Sequence, residues 1–215
     1  MRKPLLYLAY TLPPLLLITG VCYYFFDQPT ALLMQSWYLL RDTTANQHDW
    51  AMWLTQVAYC FMVPLYLMYF ILRAQNKDSV GIRCLGLLNL SVAVTFFIKG
   101  VLQFGFGRYA PRYSKSDLLL FVHNPDWYGF AWFKNGGSFP SGHMAMLSTG
   151  LTAIILYYPK SRIPALVLLL ALAGILLLLN YHFISDIIAG VYLGTSITLA
   201  LHYLSRPKAG NSSGC

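Results

Sequence analysis

Charge is what this chain has least of. Lys, Arg, Asp and Glu together make up 10% of its 215 residues, and only 7 of these are acidic, against 57% hydrophobic residues. With a mean hydropathy well above zero, that composition excludes an ordinary soluble domain of this length. Cysteine is also sparse. Cys22, Cys60 and Cys84 fall in or beside apolar runs and Cys215 ends a polar tail, so neither a disulfide framework nor a zinc-ligand spacing is visible. There is no internal repeat.

The chain does have long apolar runs: Leu5–Phe26, Ala51–Leu72, Ile82–Leu102, His143–Tyr158, Ile163–Tyr181 and Phe183–Leu204. Each approaches the roughly 20 residues a helix needs to cross a bilayer. The expected fold is all-α, a polytopic membrane helix bundle of about six transmembrane helices. It forms a single domain over residues 1–204, with 113–139 as an extracytoplasmic loop. The first run lacks a small-residue cleavage site and is rich in aromatics, so it is expected to stay as helix one rather than act as a removable signal. Residues 205–215 are rich in Gly, Ser and Asn and are expected to be a disordered cytoplasmic tail. The acceptor pattern Asn211-Ser212-Ser213 would then be accidental.

Cation placement sets an orientation. Arg2 and Lys3, then Arg73, Lys77 and Arg83, then Lys160 and Arg162, then Arg206 and Lys208 occupy the ends and alternate short loops. The positive-inside rule assigns these to the cytoplasm, leaving Asp27–Trp50, Phe104–Pro140 and the Tyr181–His182 turn outside. The net charge of +8 is accounted for by this topology, with no nucleic-acid role. The compact plan suits a bacterial inner membrane with the site facing the periplasm.

Two clusters sit at that outer edge. Pro140-Ser141-Gly142-His143 opens an apolar helix, where free amides and the helix dipole favour an anion and His143 stands beside it. His182 and Asp186, spaced i, i+4, share a helix face. There the carboxylate can hold one ring nitrogen and leave the other as nucleophile or base. Singly, each has a bland reading as a dipole-complementing Asp or a solvated His. Together, at a membrane edge where ionisable groups are costly, they indicate phosphate chemistry on a lipid. Between the third and fourth runs, Gly105-Phe106-Gly107-Arg108-Tyr109-Ala110-Pro111-Arg112 offers two arginines suited to phosphate. The long stretch Tyr113–Phe139 carries Trp127, Tyr128, Phe130, Trp132 and Phe133, either an interfacial aromatic belt or a lid on a lipid entrance. His123, Asp126 and Lys134 in it read as solvated loop residues.

At these residues the chain resembles the type 2 phosphatidic acid phosphatase family, over helix three to helix six. Members remove phosphate from lipids such as phosphatidate, phosphatidylglycerophosphate, undecaprenyl diphosphate and lipid A. The family reads Lys-x6-Arg-Pro, Pro-Ser-Gly-His and Ser-Arg-x5-His-x3-Asp. The second motif is complete at Pro140–His143, and the His and Asp of the third match His182 and Asp186. The resemblance implies that His182 attacks phosphorus to form a phosphohistidine, that Asp186 orients it and that His143 protonates the leaving oxygen. It also implies that Ser141 and Gly142 bind phosphate oxygens, and that no metal or other cofactor is needed. The expected partners are a phosphorylated membrane lipid and the bilayer itself.

Three family cations are replaced: Gln103 and Ala110 stand in the first motif, and Ile175-Leu176 in place of Ser-Arg in the third. A rearranged clamp of Lys99, Arg108 and Arg112 is geometrically reasonable, because Lys99 lies one helical turn before Gln103; snorkelling is the other account of Lys99. Three functions therefore stand open: a lipid phosphatase or phosphotransferase with an altered clamp, a catalytically silent relative that binds a phospholipid or partner protein, and a transporter or channel. The nearly unbroken apolar run Ile163–Leu179 disfavours the last. The lipid, the choice between monophosphate and diphosphate, and the oligomeric state are not encoded in any motif.

Overall fold

The computed structural model describes residues 2–39, 60, 63–75, 79–111, 129–133 and 137–205. Among them every regular element is helical. The helices are α1 (Arg2–Val21), α2 (Asp27–Leu39), α3 (Val63–Ala74), α4 (Val80–Phe106), α5 (Gly142–Tyr157), α6 (Arg162–Leu178) and α7 (Ile184–Ser205). The chain is an integral membrane protein. Leu6–Ser36, Val80–Phe106, Pro159–Leu178 and Ile184–Ser205 are long and apolar enough to cross a bilayer, while α3 and α5 are apolar but shorter.

One boundary departs from the sequence reading. The first helix does not stop at Phe26, because a π-helical stretch, Cys22–Phe26, joins α1 directly to α2. Ala31-Leu32-Leu33-Met34 are good helix formers that carry the helix on. Asp27, expected to open an outer connection, is instead a buried residue inside a continuous apolar helix.

The centre of the bundle is α5, packed between α4 and α7 and touching α6. Small residues make the close approach possible. A Cβ on Gly190 would fall within 3.0 Å of the Ser141 carbonyl oxygen, and one on Gly194 would collide with the Ala145 carbonyl oxygen and the Ser148 and Thr149 hydroxyls. This Gly-x-x-x-Gly face brings two backbones together where there is little hydrophobic drive between helices. Hydroxyls add polar ties: Thr95 to Thr149 at 3.0 Å joins α4 to α5, and Thr11 to Tyr192 at 2.9 Å joins α1 to α7. Outward, α6 exposes Ile163, Val167 and Leu170, as suits a lipid-facing helix.

The end of α6 aims the chain at the site. Asn180 adopts φ 49°, its N–H donates to the Leu177 carbonyl at 2.8 Å and the Tyr181 N–H to the Leu176 carbonyl at 2.8 Å. These are the two hydrogen bonds of a Schellman stop, in which Asn tolerates the left-handed position. The accompanying apolar contact is present too, since Leu176 and Tyr181 share a core cluster with Met144 and Ile187. Leu176 is 2% exposed. The residue at the family's arginine position is therefore spent on packing the turn that precedes His182.

Candidate active site

The Schellman stop delivers Tyr181-His182-Phe183 directly into the first turn of α7. Asp186, the third residue of that helix, reaches back to accept from the Phe183 N–H at 3.2 Å, the second half of a capping box. The reach fixes the carboxylate against the preceding residue. Asp186 Oδ2 lies 3.6 Å from His182 Nδ1, and Ser138 donates a short hydrogen bond to the same oxygen.

Ser138 also decides which nitrogen of His182 is basic. Its Oγ is 3.3 Å from Nδ1, and with its one proton given to Asp186 it can only accept there. The ring proton then belongs on Nδ1, leaving Nε2 with the free lone pair. His143 completes the group: its ring centroid lies 5.8 Å from that of His182 and 5.5 Å from that of Tyr181. Beside His182 lies only a tight crevice, too narrow to hold water, lined by Asp27, Thr30, Met34, Asn180 and His182.

The other half of the first motif is placed differently from expectation. Arg108 was expected to hold phosphate, yet it is wholly buried. Its Nη1 donates to Asp186 Oδ1 at 2.7 Å and to Ser185 Oγ at 2.7 Å, and its Nη2 to Asp27 Oδ2 at 2.9 Å. The guanidinium is also covered by the rings of Phe183, Tyr23 and Phe130, with centroids at 4.0, 5.0 and 5.3 Å. Among the described residues one positive charge faces two carboxylates there, a balance that disfavours a phosphate dianion at the guanidinium. Arg108 is thus tied to the start of α7 and to Asp27.

Asp27 is the residue that sequence reading missed. Its Oδ1 accepts from the Ser185 N–H at 3.0 Å, and the Ser185 hydroxyl donates to its Oδ2. A carboxylate from the first helix thus caps the second residue of α7, where the helix dipole favours negative charge. Both acidic groups of the cluster sit at one helix start. The signal was available, since an Asp within reach of an apolar span is expensive, but ending the first run at Phe26 set it just outside. Ser138 and Ser185 offered none beyond proximity to motif residues.

The start of α5 gathers the remaining candidates. Ser141 is buried and acts as N-cap, its Oγ accepting from the Met144 N–H at 3.4 Å, while its own N–H donates to the Asp186 carbonyl at 3.0 Å. Its expected contact with phosphate therefore competes with capping. Gly142 is the first helical residue, and the Lys99 side chain lies against it: a Cβ built on Gly142 would be 3.5 Å from Lys99 Nζ and 3.6 Å from Gln103 Nε2. Gln103, in place of the family's lysine, donates to the carbonyls of Gly137 at 2.7 Å and Pro140 at 3.0 Å and so ties down the loop that carries the motif. Ala110, in place of the family's arginine, is buried. Arg112, His123, Asp126, Trp127, Tyr128 and Lys134 lie outside the described residues. Of the expected loop aromatics, Phe130 packs on Phe106 and Phe139, whereas Trp132 and Phe133 are exposed.

The family model of the PAP2 superfamily matches residues 84–209, more than half of the chain. The chain belongs to the PAP2 superfamily. The match supports a phosphatase. No curated protein and no solved structure matches the chain. The PAP2 match contains Lys99, Arg108, Ser138, the Pro140–His143 turn, His182 and Asp186, but not Asp27. Among the described residues no group of three His, Cys, Asp or Glu side chains could hold a metal ion.

Proposed function

We propose that this PAP2 protein is a membrane lipid phosphatase acting at the extracytoplasmic face, both termini being cytoplasmic. The supporting observation is the convergence of His143 and His182, ring centroids 5.8 Å apart, with the Asp186 carboxylate on the Nδ1 side of His182. His182 Nε2 attacks phosphorus as the bond from phosphorus to the lipid oxygen breaks. His143 gives its proton to that leaving oxygen, and Asp186 balances the positive charge on the ring. Water then attacks the phosphohistidine with His143 as base, releasing phosphate and restoring the neutral ring. Gly142 and His143 begin α5, where backbone N–H groups have no intrahelical partner, and with Lys99 alongside they form the anion-binding side. No metal or cofactor enters these steps.

The substrate class is a phosphorylated lipid: a phospholipid, an isoprenoid diphosphate or lipid A. The test is phosphate release from a panel of these by purified protein in detergent, beside His182→Ala. The expected result is release by wild type on at least one lipid, abolished in the variant, unaffected by chelator and inhibited by vanadate, which mimics five-coordinate phosphorus. Release that needs a divalent ion would argue against the histidine route. No release from any lipid would favour a silent lipid-binding relative, a reading that the Leu176 packing role makes specific.

A further inference from the structure

We propose that Asp27 is a positioning residue for the reaction, so that the N-terminal helix, outside the PAP2 match, is part of the catalytic machinery. This rests on the phosphatase reading above. One carboxylate serves two partners. Asp186 is shared between Arg108, at 2.7 Å from Oδ1, and His182, whose Nδ1 stands 3.6 Å from Oδ2. The first distance is that of a charge-assisted hydrogen bond, and the second is longer than a hydrogen bond. At rest the arginine holds the carboxylate more tightly than the histidine does. Catalysis needs the opposite bias, because the His182 ring becomes positive when it bonds phosphorus, and Asp186 then has a second charge to balance besides that of Arg108.

Asp27 weakens the arginine's hold on Asp186. It takes Arg108 Nη2 at 2.9 Å, with both side chains fully buried, so one guanidinium charge is divided between two carboxylates under a roof of aromatic rings that excludes water. The remaining Asp27 contacts, to the Ser185 N–H and hydroxyl, fix it to the same turn of α7 that carries Asp186. Removing the Asp27 charge would turn the whole of Arg108 onto Asp186 and leave a neutral pair, with less negative potential for the phosphohistidine. Among the described residues the groups facing His182 are Asp186, Ser138, Tyr181, His143 and, across the shared crevice, Asp27. Of these, only Asp27 comes from the first helix.

Asp27→Asn is nearly isosteric and can keep the contact with the Ser185 N–H, which makes it the informative variant. On a lipid that wild type hydrolyses, the full-length variant in detergent should lose about 10-fold or more in kcat with KM within about twofold while staying fully folded at the assay temperature, and Asp27→Glu should recover part of the loss. In an Asp186→Asn background the same change should cost nothing further, because the route through Asp186 is already gone. Equal losses in both backgrounds, or a loss that follows only the folded fraction, would overturn the proposal. A second readout is independent of turnover: ¹⁵N spectra of histidine-labelled protein should show the His182 ring nitrogens shifting in Asp27→Asn, and unchanged signals would overturn it equally. A wild type that releases no phosphate would sink the phosphatase reading, while the spectra would still decide the role of Asp27.

Discussion

Ser138 and Asp186 are joined by a short hydrogen bond that closes the loop before α5 onto the first turn of α7. Ser138 lies only 2 residues before the Pro140 turn, and its backbone N–H is held by the Arg108 carbonyl at 2.9 Å. One hydroxyl therefore connects the two halves of the phosphatase signature and selects the tautomer of His182.

Ser138→Ala should lower kcat by about 10-fold while leaving KM nearly unchanged, since the hydroxyl faces the histidine and its carboxylate. The buried carboxylate loses a donor, which costs on the order of 1–3 kcal/mol. Thermal unfolding in detergent beside kinetics on the hydrolysed lipid separates the two effects, and wild-type kcat in folded Ser138→Ala would remove Ser138 from the site.

The orientation rests on cations that bracket the helices. A reporter enzyme that works only outside the cytoplasm should be active when fused after Trp127 and inactive after Lys77 or at the C-terminus. An active C-terminal fusion would place the two histidines on the cytoplasmic side.

Gly194 tests whether close helix approach builds the site. Any side chain there meets the Ala145 carbonyl and two hydroxyls of α5, none of which can swing away, since one is backbone and Thr149 is itself bonded to the Ala145 carbonyl at 2.8 Å. Gly194→Leu should force α5 and α7 apart, lowering the melting temperature and abolishing activity, with an expected cost of about 1–3 kcal/mol or more. Gly174, which has open space around it, supplies the control, and Gly174→Ala should be close to neutral.

Much of this architecture was legible from hydropathy alone, because a bilayer leaves the backbone few alternatives to the helix. The i, i+4 spacing of His182 and Asp186 likewise survives folding, since both lie at one helix start. What sequence could not supply was the identity of partners across helices. Arg108 looked like a phosphate ligand because an arginine beside a glycine turn suits anions; its choice of Asp27 and Asp186 depends on how α2 and α7 pack, which no local pattern encodes. Leu176 looked like a vacancy in the clamp, and in the fold it is the apolar contact of a helix stop. Lys99 and Gln103, one helical turn apart on α4, both lie against Gly142 at the start of α5.

Leu176 yields a prediction from that difference. With 2% exposure and neighbours Met144, Tyr181 and Ile187, restoring the family's arginine by Leu176→Arg should bury an unpaired charge and break the apolar contact of the Schellman stop. The expected outcome is loss of folded protein rather than tighter phosphate binding, at a cost of several kcal/mol. A well-folded Leu176→Arg with lower KM would show that the turn can open to let the side chain reach substrate.

Lys99 and Arg108 were expected to act together, and their surroundings now divide them. Lys99 is half-buried, lies against Gly142 at the start of α5 and has its Nζ 5.0 Å from the Phe96 ring centroid; no carboxylate pairs with it among the described contacts. Arg108 is enclosed by two. If Lys99 supplies charge to phosphate held at the helix start, Lys99→Gln should reduce kcat/KM by roughly 10²-fold and weaken vanadate inhibition in parallel, with little change in melting temperature. Arg108→Gln leaves two buried carboxylates facing each other without a cation, so it should cost about 3–5 kcal/mol of stability. Kinetics, vanadate inhibition and thermal unfolding on the same two preparations distinguish binding from support. Normal kcat/KM and vanadate sensitivity in folded Lys99→Gln would mean that Lys99 only snorkels along α4, and the anion-binding side would then consist of the α5 amides without a cation from this helix.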